Sequence, residues 1–555
     1  MKKLLHVLYY AKIWVNWITF VINKFVHSGK NQPKPNFHIF VNKLAGDTMT
    51  LRRPDTKELE QIGKKTGIEL TQDELAVLQP IIAKVLDGYD VLDQFPDPVR
   101  EVIPAVRIPS SRPEKAEDPL NGIVRYCSVR ATPLVESGIL SNKNIGLKDT
   151  ICVAGLPMTC ASRLLYDYTS DIDATVTKRI LEAGGHITAV MNTDDFAFSG
   201  GGHTSVYGAG LNPVDPTYAP GGSSHGSATA IASNQVDITL GGDQGGSIRI
   251  PASFSGIVGH KPTHGLVPYT GIVGFDQTID HVGPMASTVE DCALMLGVIA
   301  GKDDTAIDPR QPTNVSVPDY ISMLSGSIKG LKIAIVKEAF ETAHATQSVN
   351  AAVLGAAEKL RSMGADVAEI SIPMHTRVPP LWNAIAIEGG LSSFNSGHAA
   401  YQTKGYYNPR LISAMMRGLK THSHDLSPTA KMGALVAEYM RTKYDGVFYA
   451  RAQNMSRILT ETYNAVFENV DLLLMPTTPQ RAHKLPALPE IDRKEHIDQA
   501  LNMVANTAAF DLTGHPSISV PVHSVDGMPI GLMLTGRLFD DATVLRAAHA
   551  YEQSC

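Results

Sequence analysis

The sequence predicts an α/β protein in which a mixed central β-sheet is flanked by helices, with a small helical appendage at the N-terminus. A chain of 555 residues with 43% hydrophobic residues can bury a large core and exceeds the usual size of a simple single domain. Residues 173–185 predict a helix before a strand at 186–192, and a strand at 331–336 precedes a helix at 348–363. This alternation of strands and helices favours a sheet covered by helices.

The first 48 residues form a basic, apolar extension of uncertain role. Seven lysines and no Asp or Glu occur in the first 46 residues, and Lys12 and Asn16 interrupt the apolar run, which makes it a poor spanning helix or signal peptide. Two interpretations stay open. The extension is dispensable ahead of a start at Met49, or its residues 1–30 contact a membrane surface.

Residues 49–95 predict a helical segment of two helices. The second helix begins at the capping box from Thr71 to Glu74, because these two side chains satisfy N–H groups that a helix start leaves unpaired. Proline-rich residues 95–119 predict a linker that wraps onto the main body. Residues 96–555 predict the main domain.

Composition excludes several classes of protein. A net charge of -6 and a pI near 6.3 provide no positive field for nucleic acid, so no nucleic-acid partner is expected. Five cysteines without a CxxC spacing argue against a disulfide framework and a structural zinc site. A reducing, cytoplasmic location fits this cysteine usage.

Two loops rich in glycine and serine organise the chain. The first, residues 221–227, reads GGSSHGS, and the second, residues 241–247, reads GGDQGGS. Between them, small residues at 228–233 predict a helix and residues 236–240 predict a short buried strand. The helix and strand are short enough to bring the two serine-bearing loops face to face.

These motifs resemble the amidase signature family of hydrolases. The resemblance is carried by GGSS-x-GS, by GGDQGGSIRIPASFSGIVGHKPTHG and by residues 146–149, and it resumes at 471–479 and 506–537. It is nearest to broad-specificity bacterial amidases with an extra helical N-terminal segment. The resemblance implies a catalytic domain at 96–555, a triad of Lys148, Ser223 and Ser247, a homodimer, and no metal or cofactor.

The residues themselves support this chemistry. A serine hydroxyl such as that of Ser247 needs a base, and no histidine in the chain stands in an arrangement that singles it out for that role. A lysine can serve if burial lowers its pKa, so Lys148 is expected to be buried and neutral near pH 7.

The resemblance assigns the remaining parts of the reaction. Ser223, after a cis peptide bond with Gly222, passes a proton between Ser247 and Lys148. The backbone N–H groups of Gln244, Gly245, Gly246 and Ser247 form the oxyanion hole, where glycine lets the backbone approach the developing charge closely.

Five other residues have expected roles outside the triad and the oxyanion hole. Phe198 and Trp382 match positions that line the acyl pocket in the relatives, although aromatic residues are usually core. Asp243 and Arg249 are expected to be structural. His225 stands where the family usually has glycine, so its side chain is expected either to add strain or to contact the substrate or the relay.

The predicted function is hydrolysis of a carboxylic acid amide to carboxylate and ammonia through an acyl-enzyme on Ser247, with a small-molecule amide as substrate. One alternative is a G-x-S-x-G esterase with Ser224 as nucleophile, although proline-rich residues 212–220 oppose the strand that this motif requires. Another is the glutamine-hydrolysing A-type component of a transamidase. A non-catalytic binding protein is the third.

Overall fold

A computed structural model describes residues 51–97, 100–109, 111–303, 307–325, 327–390, 403–485, 492–522 and 527–555. The chain divides into two compact units, Met1–Val99 and Arg100–Cys555. The predictions for residues 1–48 lie outside the described residues. Among the helices of the described part, none is long and apolar enough to cross a bilayer.

The first unit contains helices α1 (Thr56–Thr66) and α2 (Gln72–Leu92). The Thr71 hydroxyl accepts a hydrogen bond from the N–H of Glu74, whose carboxylate accepts one from the N–H of Thr71. The predicted capping box is therefore confirmed. An equivalent pair at Asp55 and Glu58 begins α1.

The second unit is built on one mixed sheet of twelve strands within the described residues. The strands are β1 (Ala105–Pro109), β2 (Ile123–Ala131), β3 (Asn144–Lys148), β4 (His186–Met191), β5 (Ile238–Asp243), β6 (Val258–Lys261), β7 (His281–Ala286), β8 (Lys332–Val336), β9 (Asp366–Ile370), β10 (Leu472–Pro476), β11 (Ser517–Val522) and β12 (Ile530–Gly536). Their order across the sheet is β1-β2-β4-β3-β5-β7-β6-β11-β12-β10-β8-β9.

Helices cover this sheet. They are α3 (Thr175–Glu182), α4 (His225–Ala232), α5 (Arg249–Ser255), α6 (Val289–Ile299), α7 (Gln347–Ser362), α8 (Val378–Asn383), α9 (Pro409–His422), α10 (Pro428–Tyr444), α11 (Val447–Phe467), α12 (Arg493–Leu501), α13 (Ala508–Thr513) and α14 (Asp541–Glu552). The central strands β5, β7, β10 and β12 are buried along their whole length. The predicted mixed sheet flanked by helices is confirmed.

The strand order positions the two serine loops. Strands β3 and β5 are parallel neighbours, so their carboxyl ends meet at one edge of the sheet. Lys148 is the last residue of β3, and the loop with Ser247 follows Asp243 at the end of β5. Residues 225–231 of α4 and all residues of α5 are buried, which lets both loops pack closely against the sheet.

One local prediction is wrong. Residues 95–119 were expected to form a linker, but Ala105–Pro109 form strand β1, antiparallel to β2. Proline lacks the N–H that a central strand must donate, whereas an edge strand has one unpaired side that tolerates it. Because β1 is an edge strand, Pro104 and Pro109 do not prevent it from pairing.

Candidate active site

Lys148 is a buried lysine bonded to a serine. Its Nζ donates a hydrogen bond to Ser223 Oγ at 2.7 Å and lies 3.4 Å from the carbonyl oxygen of Gly242. The side chain is 1% exposed. Burial lowers the pKa of Lys148 to about 7, although the negative charges of Asp194 and Asp243 act in the opposite direction. A substantial fraction of Lys148 is therefore neutral near pH 7.

Ser223 is held by the backbone of its own loop. The peptide bond between Gly222 and Ser223 is cis, as the resemblance implied. The carbonyl of Ser223 accepts a hydrogen bond from the N–H of Asp194 at 3.3 Å. A Cβ at position 222 would clash with the Asp194 carboxylate, so this position requires glycine. The Ser223 side chain is fully buried beside Lys148.

Ser224 and Ser247 have different surroundings. The Ser224 hydroxyl donates to the carbonyl of Gly242 at 3.2 Å and accepts from the N–H of the same residue at 3.3 Å. The Ser247 hydroxyl makes no hydrogen bond with the described residues, and a main-chain hydrogen bond of 3.2 Å from Ser224 N to Ser247 O joins the two loops. No strand is formed at residues 211–224, so the strand that a G-x-S-x-G elbow requires is absent there.

Every carbonyl in the segment from Gln244 to Ser247 accepts a hydrogen bond. The donors, in chain order of the acceptors, are Trp382 Nε1 (2.7 Å), Thr507 Oγ1 (2.6 Å), Ile250 N (2.7 Å) and Ser224 N (3.2 Å). Because the carbonyl and the N–H of one peptide unit point in opposite directions, these bonds also fix where the N–H groups point. The segment is thus held in one orientation from outside.

The N–H groups of this segment divide into two sets. Asp243 accepts hydrogen bonds from the N–H of Gly246 at 2.5 Å and from that of Ile248 at 3.1 Å. The N–H groups of Gln244, Gly245 and Ser247 have no acceptor among the described residues. Of the four predicted oxyanion donors, Gly246 is therefore already engaged, and the other three are available to a substrate oxygen.

A buried network of charged side chains lies beside the segment from Gln244 to Ser247. Arg249 donates to Asp243 at 3.0 and 3.1 Å and to Asp511 at 2.7 Å, and all three side chains are fully buried. Burial would raise the pKa of Asp243, but the Arg249 guanidinium holds it below its ordinary value. Burial and the Asp243 charge raise the pKa of Asp511 well above its ordinary value. Asp243 and Arg249 therefore have the structural surroundings that were expected.

A small pocket opens beside Lys148 and Gln244. Aromatic side chains of Phe196, Tyr269 and Phe275 line it. Among the described lining residues, Lys148 is the only one with a charged side chain. The cavity measures about 10 Å³, roughly the space that one water molecule needs. The sequence carried no local pattern that would single out these three aromatic residues.

The two predicted pocket residues lie just outside this lining. Phe198 is buried and stacks on Phe275, with ring centroids 5.4 Å apart. Trp382 packs against Gly245 and donates its indole N–H to the carbonyl of Gln244. Phe198 therefore backs the pocket wall, and Trp382 contacts the segment that follows β5.

His225 is the first residue of α4 and has no positive φ, so the backbone accepts it without the strain that was considered. It is fully buried, with Nδ1 3.9 Å from Asp194 Oδ2, and neither ring nitrogen makes a hydrogen bond with the described residues. Burial lowers the pKa of His225 to about 4, so the imidazole is neutral at pH 7. Asp194, which sequence reasoning missed, donates its N–H to the Ser223 carbonyl and has its carboxylate beside the His225 ring.

These parts make up a site that fits a serine-dependent hydrolase: a hydroxyl without a partner among the described residues, a buried lysine bonded to a second serine, and unpaired N–H groups beside both. A family model for amidases matches residues 129–545. The chain is 37% identical over 510 residues to an enantioselective amidase of Rhodococcus rhodochrous, a match that covers 91% of this chain and 96% of that protein.

Two further comparisons agree with the match to the amidase family model. The chain is 38% identical over 427 residues to the A-type component of the glutamyl-tRNA(Gln) amidotransferase of Synechococcus sp. (strain CC9902), covering 75% of this chain and 83% of the relative. Its fold is similar to a bacterial aryl acylamidase of the amidase signature family, with a TM-score of 0.65, 21% identity, and coverage of 91% and 96%. The chain belongs to the amidase signature family and is a hydrolase of amide C–N bonds.

Proposed function

We propose that the protein hydrolyses small carboxylic acid amides through an acyl-enzyme on Ser247. Neutral Lys148 takes a proton through Ser223 as the Ser247 oxygen attacks the amide carbonyl. The N–H groups of Gln244, Gly245 and Ser247 stabilise the oxyanion. Ser223 then delivers the proton to the departing nitrogen, the C–N bond breaks and ammonia leaves, and water hydrolyses the ester to release the carboxylate.

The 2.7 Å hydrogen bond between Lys148 and Ser223, made inside the core, is the observation that carries this proposal. A surface lysine would be protonated near pH 7 and could not act as a base, because its pKa is about 10.4. Burial lowers the pKa of Lys148 to about 7, so its neutral amine can act as a base near that pH. The Ser247 hydroxyl supplies a nucleophile in the same region, because the N–H of Ser224, the neighbour of Ser223, donates to the Ser247 carbonyl and joins the two loops.

The proposed substrate is a neutral aliphatic or aromatic amide. The support is the 37% identity to an enantioselective amidase of Rhodococcus rhodochrous. The relatives named as amidotransferase components keep glutamine hydrolysis within a complex as the second candidate.

Ammonia release from the purified chain tests the proposal. The panel includes short aliphatic amides, benzamide and free glutamine, and the Ser247→Ala variant is the control. Turnover of simple amides by the chain alone, lost in Ser247→Ala, supports the proposal. Glutamine as the only substrate, or activity that appears only with added partner chains, would favour the amidotransferase function.

We further propose three properties of the whole chain. Residues 96–555 form the catalytic domain, and residues 49–95 form a helical segment through which two copies associate. The association of two copies is supported by an apolar stripe on α2, where Val77, Ile81 and Val85 are 61%, 53% and 60% exposed. Free thiols at all five cysteines support a reducing compartment such as the cytoplasm.

The role of residues 1–48 is tested by truncation. A chain that begins at Met49 is proposed to fold and keep its amidase activity. Loss of folding on truncation would refute this. Sedimentation of the full-length chain with anionic vesicles, absent in the truncated chain, would show instead that residues 1–30 contact a membrane surface.

A further inference from the structure

Two side chains from distant parts of the sequence pack against Gly245 and Gly246, the two glycines in the segment from Gln244 to Ser247. A Cβ added at Gly245 would clash with the indole of Trp382, and one added at Gly246 would clash with the hydroxyl of Thr507. The close approach of these two side chains therefore explains why glycine is needed at both positions. This requirement for glycine is separate from the one that arises because a substrate oxygen must approach the backbone closely.

Thr507 reaches the segment from a firmly held part of the chain. It is fully buried immediately before α13, and its hydroxyl donates to the carbonyl of Gly245 at 2.6 Å. The preceding residue, Asn506, donates to the carbonyls of Ala339 and Pro476 at 3.1 and 2.9 Å. The backbone that carries Thr507 is thus anchored to two other segments.

Trp382 reaches the same segment from α8. Its indole N–H donates to the carbonyl of Gln244 at 2.7 Å while the ring lies against Gly245. The residue is 6% exposed, so both the contact and the hydrogen bond are shielded from water. A hydrogen bond in such surroundings is stronger than one at the surface.

We propose that Trp382 and Thr507 are positioning residues that fix two successive peptide planes of the segment that carries the oxyanion hole. Trp382 holds the plane whose free N–H belongs to Gly245. Thr507 holds the carbonyl of the next plane, whose N–H is donated to Asp243. With both planes held, the Gly245 N–H is aimed before substrate arrives. The inference rests on the proposed function, in which this N–H receives the oxyanion.

Such an arrangement acts on the transition state more than on the bound substrate. Donors that are already oriented stabilise charge as it develops, and a donor that must first rotate loses part of this effect. The Thr507→Val variant keeps the side-chain shape and removes the hydrogen bond to Gly245. We expect kcat to fall about tenfold, the effect of losing one buried hydrogen bond, with KM changed by less than about twofold.

Four variants of the full chain test the inference on one simple amide. Thr507→Val and Trp382→Phe each remove one donor, and Thr507→Ser restores a hydroxyl. Thr177→Val is the matched control, because Thr177 is also fully buried and donates its hydroxyl to a backbone carbonyl, that of Cys152, at 2.9 Å. Phenylboronic acid, which adds to a serine oxygen as a tetrahedral anion, provides a second readout of the oxyanion hole.

The expected result is a lower kcat in Thr507→Val and Trp382→Phe, a parallel loss of phenylboronic acid affinity, recovery in Thr507→Ser, and wild-type kinetics in Thr177→Val. A folded Thr507→Val enzyme with wild-type kcat, or one in which only KM rises, would overturn the inference. If Thr507→Val does not fold, wild-type kcat in Trp382→Phe overturns it equally. An active Ser247→Ala enzyme would instead refute the proposed function itself.

Discussion

Lys148 Nζ lies 2.7 Å from Ser223 Oγ, and both side chains are enclosed by the core. Burial lowers the pKa of Lys148 to about 7, and only the neutral amine can accept a proton. The neutral fraction grows as pH increases. We therefore expect kcat/KM to increase with pH through an apparent pKa near 7 and then to level off.

The measurement is a pH series of kcat/KM for one amide and the matching ester. Lys148→Ala is expected to remove the increasing limb and most of the activity. It should affect the amide more than the ester, whose leaving group needs less protonation. A Lys148→Ala enzyme with wild-type amide turnover and an unchanged pH profile would contradict the role of Lys148 as base.

The same lysine affects stability. With a pKa of about 7 in the folded chain and about 10.4 in the unfolded one, Lys148 binds fewer protons when folded between these values. Its unfavourable contribution is therefore full below pH 7 and decreases by up to ~1.4 kcal/mol for each pH unit above it. Lys148→Met is expected to be more stable than wild type at pH 7, with an advantage that shrinks by pH 9.5.

Chemical unfolding of wild type and Lys148→Met at pH 7, 8 and 9.5 measures this difference. Titrating groups distant from Lys148 contribute equally to both proteins, so they cancel when the two free energies of unfolding are subtracted. A difference that does not change with pH would mean that Lys148 is protonated in the folded protein.

Covalent labelling distinguishes the two serine nucleophiles. The Ser224 hydroxyl is engaged at both ends with Gly242, whereas the Ser247 hydroxyl has no partner among the described residues. A fluorophosphonate probe is therefore expected to label Ser247, as read by peptide mass spectrometry. Ser247→Ala should abolish labelling and Ser224→Ala should retain it. A label on Ser224 would support the esterase alternative.

Sequence reasoning could predict the roles of Lys148 and Ser223 because the resemblance to the amidase signature family is carried by short, contiguous motifs that contain them. It could not predict Thr507, which lies 262 residues from its partner Gly245 and belongs to no recognisable local pattern. The aromatic pocket residues were missed for the same reason. Strand β1 was missed because prolines usually end regular structure, while the edge position that tolerates them is decided only by the whole sheet.

The apolar stripe on α2 predicts an effect on association. Aspartate at Ile81 and Val85 would place two charges in the proposed contact, where they would lose water without gaining a partner. The double variant is expected to be monomeric in analytical ultracentrifugation and wild type dimeric. Ala76→Asp, at another exposed position of α2, is the control and should remain dimeric. A monomeric wild type would contradict the proposed dimer.

The two carboxylates around Arg249 are expected to differ in their effect on stability. Arg249 holds the pKa of Asp243 below its ordinary value, whereas burial and the Asp243 charge raise the pKa of Asp511, so we assign the counter-charge of the guanidinium to Asp243. Asp243→Asn leaves the buried guanidinium without a counter-charge, which we expect to lower the free energy of unfolding by ~3–5 kcal/mol. Asp511→Asn keeps the shape of the side chain and leaves the Asp243–Arg249 pair in place, so it should cost much less.

Urea unfolding of the two variants at pH 7 provides the comparison, and each variant serves as the other's control because both lose one carboxylate from the same guanidinium. Asp243 also accepts the N–H of Gly246, so Asp243→Asn is expected to lower kcat as well. A larger loss of stability in Asp511→Asn would show that the negative charge resides on Asp511, and equal losses would show that both carboxylates compensate the guanidinium; either result contradicts the assignment to Asp243. If the charge resides on Asp511, the Arg249 guanidinium depends on this residue of α13 for its counter-charge.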